Sequence, residues 1–176
     1  MIRYVAFLRG INVGRAKLIR MPELAAVFTA LGFTNVATVL RSGNVVFSSH
    51  KPVSADAPAR IEAEVLAATG VRSSVILVHS AVFSAILDAN PLVAIATEGS
   101  KSFVSFVTSM PATLELPDAS ALAPERLAVG PSAVYQWMPD GSLQTRVPPS
   151  FWKQFDTPVT ARNWNTVQKV RAVLVG

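Results

Sequence analysis

The sequence predicts an α+β fold made of two similar ferredoxin-like (β-α-β-β-α) subdomains with mixed or antiparallel sheets. Three observations carry that prediction. The first half reads as β-α-β-β-α-β, the order of a split β-α-β unit. The second half repeats β-α-β-β-α in looser form. The composition, 51% hydrophobic and 15% charged over 176 residues, is that of a chain with a sizeable core. The expected subdomains are residues 1–80 and 81–176, together forming one compact unit.

The elements follow in order. Arg3–Leu8 is rich in β-formers and reads as a buried strand. Gly10–Lys17 is a loop with Gly10, Asn12 and Gly14. Met21, Leu24, Val27, Phe28 and Leu31 recur at helical spacing, so Met21–Leu31 is a helix, with Pro22 in its first turn and Gly32 after its end. Val36–Leu40 and Val45–Ser48 are strands joined by the turn Arg41-Ser42-Gly43-Asn44. Ser54 or Asp56 caps a helix running to about Ala68, with Ile61 and Val65 inward and Gly70 ending it. Ser74–His79 is the next strand.

The second half is more loop-like, because Pro111, Pro117, Pro124, Pro131, Pro139, Pro148 and Pro149 punctuate it. Ser80–Asn90 reads as a helix stopped by Pro91, and Lys101–Thr108 as a strand. Pro111–Leu116 reads as a short helix. Arg126–Val129 and Ala133–Trp137 are strands around Gly130-Pro131-Ser132. Ser150–Phe155 is a short helix, and a last helix runs from about Arg162 to Leu174. The repeated order makes structural duplication the expectation, although no residue-level repeat accompanies it.

Composition also limits function. The chain has no cysteine, which removes disulfides, thiolate nucleophiles and Cys-ligated metals. His50 and His79 lie far apart, and no metal-type His spacing exists, so neither metal nor cofactor is expected. No apolar run approaches the roughly 18–20 residues that span a bilayer. Tyr4–Leu8 is too short for a signal-peptide core. A cytoplasmic protein without a membrane partner is the expectation. The net charge of +5 is uneven. Residues 1–22 carry Arg3, Arg9, Arg15, Lys17 and Arg20 without an acid; residues 157–176 carry Arg162, Lys169 and Arg171 without an acid. Such ends are either solvated faces or a basic surface for an anionic partner.

Three segments concentrate polar chemistry. LRGINVG (Leu8–Gly14) follows a strand with Gly10, Asn12 and Gly14, which either expose backbone N–H groups to an anion or simply permit a tight crossover. It has neither P-loop nor dinucleotide-loop spacing. SGNVVF (Ser42–Phe47) puts Ser42, Gly43 and Asn44 at a hairpin tip. Ser42 is a nucleophile only with a base nearby, and His79 is the one candidate; otherwise the segment is a turn. RNWNTV (Arg162–Val167) packs a guanidinium, two carboxamides, an indole and a hydroxyl into six residues. One reading has Asn163 or Thr160 capping the helix, Trp164 anchoring the core, and Arg162, Asn165 and Thr166 tying loops together. The other has Arg162 and Asn165 binding phosphate or carboxylate at a helix N-terminus.

Together these three segments resemble the bacterial family catalogued as domain of unknown function 1697. The intervening MPEL, ALGFTNV and NPL segments fit the same pattern. The resemblance implies an α+β fold with two similar subdomains and a map of motif residues, but no activity. The chain departs from the family pattern at Arg15, where a second glycine is usual, and at Val39–Arg41, where Tyr and Gln are usual. It also departs after PDG, where QTRV replaces a Ser-Lys pair.

The expected function is binding of an anionic ligand, a phosphate-bearing small molecule or nucleic acid, through Arg9, Asn12, Lys17, Asn44, Arg162 and Asn165. Gly10, Gly14, Gly43, Asn163, Trp164 and Thr166 shape the motifs. The alternatives are a small enzyme using Ser42 or His79 and a non-catalytic interaction scaffold. Protein partners and catalytic residues are left open.

Overall fold

The computed structural model describes residues 1–13 and 18–176. The chain divides into two units: Met1–Ser84 with Lys169–Gly176, and Ala85–Gln168.

Unit 1 contains β1 (Ile2–Arg9), α1 (Met21–Ala30), β2 (Thr34–Val39), β3 (Asn44–Ser49), α2 (Ala57–Thr69) and β4 (Ser74–His79). The strand order is β2-β3-β1-β4, with every neighbouring pair antiparallel. This is the ferredoxin-like arrangement. Its central strand is buried along Tyr4–Leu8, which explains why Arg3–Leu8 lacks a polar/apolar alternation. One set of β1 side chains, Tyr4, Ala6 and Leu8, packs with Val45 and Phe47 against Leu24, Val27 and Phe28 of α1 and Ile61 and Val65 of α2. The alternate set includes Val5 and Phe7, also fully buried, with the Phe7 ring 6.1 Å from that of Phe83. Gly70 ends α2 at φ 70°, a left-handed cap that L side chains resist.

The helix α3 (Ser80–Asp88) leads into unit 2. There follow β5 (Ser102–Val107), α4 (Ala119–Leu122), β6 (Arg126–Val129), β7 (Ala133–Trp137), α5 (Pro149–Trp152), β8 (Val159–Asn163) and α6 (Trp164–Val175), whose last turns belong to unit 1. The sheet order is β6-β7-β5-β8, again antiparallel throughout and equivalent strand for strand to that of unit 1. Val107, Leu122, Val134, Val147, Phe151 and Phe155 form a core cluster.

The structure corrects three boundaries. Val159–Asn163 is a strand, so the last helix begins at Trp164 and not at Arg162. The run is β-branched at Val159 and Thr160, and its pairing with β5 overrides the helical reading of the residues beside it. Pro111–Leu116 is not helical; the short helix lies at Ala119–Leu122, where Asp118 accepts a hydrogen bond from Ser120 N at 2.8 Å. The helix expected at Ser150–Phe155 is Pro149–Trp152.

Candidate functional site

The end of β1 in unit 1 is where two of the three motifs meet. Leu8 N donates to Gly43 O at 2.8 Å, continuing the β1–β3 ladder into the hairpin turn. Beyond Arg9 the chain reverses at Gly10 (φ 77°) and Asn12 (φ 54°). Asn12 is one of the residue types that tolerate this region. Its carboxamide closes the loop on itself: Nδ2 donates to Ile19 O at 3.2 Å, and Oδ1 accepts from Ile19 N at 2.7 Å. The same Nδ2 donates to Arg41 O at 2.7 Å, fastening this loop to the β2–β3 turn. Ile11 and Ile19 are buried beneath the clasp.

Gly43 is required twice over. It has φ 76°, and a Cβ there would lie 2.9 Å from Leu8 Cβ and Ile11 Cδ1 and 3.0 Å from Leu8 O. Neither the Leu8 carbonyl nor its Cβ can swing away. Asn44 is fully buried, with Nδ2 donating to Val39 O at 2.8 Å and Ser42 Oγ at 3.0 Å. The side chains of Asn12 and Asn44 are thus both engaged with this chain's own turn. Arg9 and Arg41 are exposed on the clasped segments, as are Val13, Leu18 and Leu40. Gly14 and Lys17, with Arg15, lie outside the described residues.

Ser42 and His79 do not form a nucleophile–base pair. His79 pairs opposite Tyr4, whereas Ser42 precedes Gly43, which bonds Leu8. Four residues of β1 separate them, about 14 Å at ~3.4 Å per residue. The His79 ring stands edge-on to Tyr4, 5.4 Å away, and its Nδ1 accepts from Ala81 N at 3.1 Å at the start of α3. Among the described residues no group of three or more His, Cys, Asp or Glu is placed to hold a metal ion.

RNWNTV belongs to unit 2 up to Val167 and straddles the β8–α6 junction. Arg162 lies on β8 opposite Val104, so it is not at a helix N-terminus. Its Nη1 donates to Thr160 Oγ1 at 2.9 Å and Ala161 O at 2.8 Å. Burial pulls its pKa down to about 10, which leaves the guanidinium charged at neutral pH. Asn163 is the cap of α6, its Oδ1 accepting from Thr166 N at 2.9 Å. Trp164 is half-buried and donates its backbone N–H to Gly99 O at 3.0 Å. Asn165 packs its carboxamide directly on Gly99, where a Cβ would lie 3.0 Å from Asn165 Cγ. Gly99 was not singled out in the sequence; the turn-forming run Glu98-Gly99-Ser100 is the signal that marks it.

The family's sequence profile, described as a protein of unknown function (DUF1697), matches residues 1–135. The chain belongs to this family. The match includes LRGINVG and SGNVVF and stops before RNWNTV. Comparison with curated proteins gave no match. Among solved structures, the chain is similar to the conserved bacterial protein SP0830 from Streptococcus pneumoniae, with 23% identity, coverage of 98% of each chain and a TM-score of 0.67. At that identity the likeness concerns the fold alone. Among the described residues no helix is long and apolar enough to cross a membrane.

Proposed function

We propose that the clasped loops of unit 1 bind a phosphate-bearing ligand. The observation supporting this most directly is the Asn12 bond to Arg41 O, which fastens two exposed basic segments together at one end of β1. In this reading Arg9 and Arg41 supply the guanidinium donors, suited to phosphate by their charge and fork geometry. Lys17 and Arg15 belong to the same loop by sequence and add cationic character. Gly10 leaves room for close approach, since a Cβ there would meet nothing within 4 Å. Asn12 and Asn44 preorganise the loops and do not themselves touch the ligand. In unit 2, Arg162 and Asn165 are a second proposed anion-binding pair.

The test is a titration of pyrophosphate and of a short single-stranded oligonucleotide at two salt concentrations. Exposed guanidinium contacts are screened by salt, so affinity falls steeply as salt rises. Arg9→Ala and Arg41→Ala are each expected to weaken binding, and for the oligonucleotide to reduce the log–log salt slope by about 1. Wild-type protein that binds neither probe at low salt contradicts the reading. A second reading, a protein-interaction scaffold, draws on the exposure of Val13 (68%), Leu18 (63%) and Leu40 (45%). It gains if both probes fail.

A further inference from the structure

A separate polar cluster sits at the other end of β1, away from the three motifs. Strand β2 breaks register between Thr34 and Ala37, and within that bulge Asn35 has φ 50°. Bulges commonly re-aim a side chain near a functional site. Here Asn35 Nδ2 donates to Ser48 Oγ at 3.3 Å. Ser48 is buried and pairs directly opposite Arg3 on β1, so the two side chains share a face of the sheet. Arg3 Nη2 donates to Val173 O at 2.8 Å, in the last turn of α6, while its Nε is buried without a hydrogen-bond partner.

Arg3, Asn35 and Ser48 line an open cavity of about 430 Å³ together with Met1 and Gly176, all within unit 1. Arg3 is the one charged side chain on that lining. Among the described residues no carboxylate forms a salt bridge with it. Its partner is the end of a helix, which carries roughly half a negative charge, and the lining also holds the Met1 α-amino and Gly176 α-carboxylate groups, of opposite sign, so the guanidinium charge is only partly offset. A half-buried cation in this condition is stabilised by an anion brought to it. The donors around it are complementary to one. Ser48 Oγ accepts from Asn35, which leaves its O–H to donate, and Asn35 Nδ2 has a second N–H.

We propose that this cavity binds a small oxyanion, a carboxylate or a phosphate, with Arg3 as the charged donor and Asn35 and Ser48 as neutral donors. The site is distinct from the clasped loops. Arg3 and Arg9 are six residues apart on one strand, about 20 Å at ~3.4 Å per residue.

Inorganic phosphate and acetate, each titrated into the full chain and followed by amide chemical shifts, test the proposal. Saturable shifts at Arg3, Asn35 and Ser48 are expected, and the tighter of the two anions identifies the class. Asn35→Gly keeps the left-handed backbone and removes the carboxamide; Ser48→Ala removes the hydroxyl. Each is expected to weaken binding roughly three- to tenfold, the value of one hydrogen bond. Arg9→Ala is expected to leave these shifts and their affinity unchanged. Absence of saturable shifts at these amides with both anions, or unchanged affinity in both the Asn35→Gly and Ser48→Ala proteins, overturns it.

Discussion

In unit 1 the crossovers that cover the sheet are helices of ten and thirteen residues, α1 and α2. Their counterparts in unit 2, α4 and α5, have four residues each. With so little helix surface, unit 2 turns to polar clamps on its loops. The buried Glu125 carboxylate accepts from Thr145 Oγ1 at 2.8 Å, Arg146 N at 2.6 Å and Gln136 Nε2 at 3.2 Å, tying the loop after β7 to the sheet. Gln154 pairs with the backbone of Glu115 on both sides, accepting from its N at 2.8 Å and donating to its O at 2.9 Å. The same strand order is therefore held by apolar helix faces in one unit and in part by satisfied polar groups in the other. Topology does not dictate how much helix covers the sheet, and polar side chains fasten loops in both units.

That contrast is easiest to break in the core of unit 1. Phe47 is fully buried, with its ring 4.4 Å from Phe33, 5.3 Å from Phe28 and 5.6 Å from Tyr4. Phe47→Ala is expected to destabilise by about 3–5 kcal/mol in equilibrium denaturation. A loss below about 1 kcal/mol would mean that this aromatic cluster is not the main support of unit 1.

The glycines sharpen the comparison. Gly43→Ala combines a left-handed backbone with a clash against Leu8, and about 2–4 kcal/mol of destabilisation is expected. At Gly99 the closest group is the Asn165 carboxamide, the far end of a side chain that can rotate. Gly99→Ala is expected to cost only about 1 kcal/mol. Equal losses would show that RNWNTV is as tightly locked as the unit 1 clasp.

The clarity of these differences follows what the sequence could express. In unit 1, Met21–Leu31 and the helix ending at Gly70 carry long apolar stripes and clear stops, so both were legible. Strand β8 was not, because its five residues run without a break into α6, and Asn163 serves both as strand end and as helix cap. Losing that strand placed Arg162 at a helix start. Helix α4 was not legible: its Asp118–Ser120 cap lies in a proline-rich stretch, and the sequence places the short helix at Pro111–Leu116 instead. For the site, the glycines and the two asparagines were legible as special residues. Their targets were not: Asn12 reaches Arg41, 29 residues away, a partner that depends on the folded strand order. Arg3, Asn35 and Ser48 have no local pattern at all, since strand register alone assembles them.

Glu125 tests the polar side of the contrast. Glu125→Ala leaves the part-buried Arg146 N–H and the buried Gln136 amide without their acceptor, and a loss of about 1–3 kcal/mol is expected. Stability unchanged within about 0.5 kcal/mol would remove the clamp from the account.

The smallest effect concerns pH. Tyr135 is buried and donates its hydroxyl to Ile86 O at 2.8 Å; burial raises its pKa above the ordinary value of 10.0. The folded state therefore holds the phenol proton after the unfolded state releases it. This contribution is complete below pH 10 and is lost as pH rises through the folded pKa. Tyr135→Phe is expected to cost about 1 kcal/mol at neutral pH and to flatten the alkaline limb of the stability profile. An unaltered alkaline limb would place its cause elsewhere.

The clasped loops as a phosphate-binding element are tested most directly by mapping pyrophosphate onto the backbone amides of the wild-type chain at low salt. Saturable shifts concentrated at Arg9–Asn12 and Arg41–Asn44, diminished in an Arg9→Ala, Arg41→Ala double variant that melts like the wild type, are the predicted result. No saturable shift at these amides, or shifts of the same size and affinity in the double variant, would contradict it.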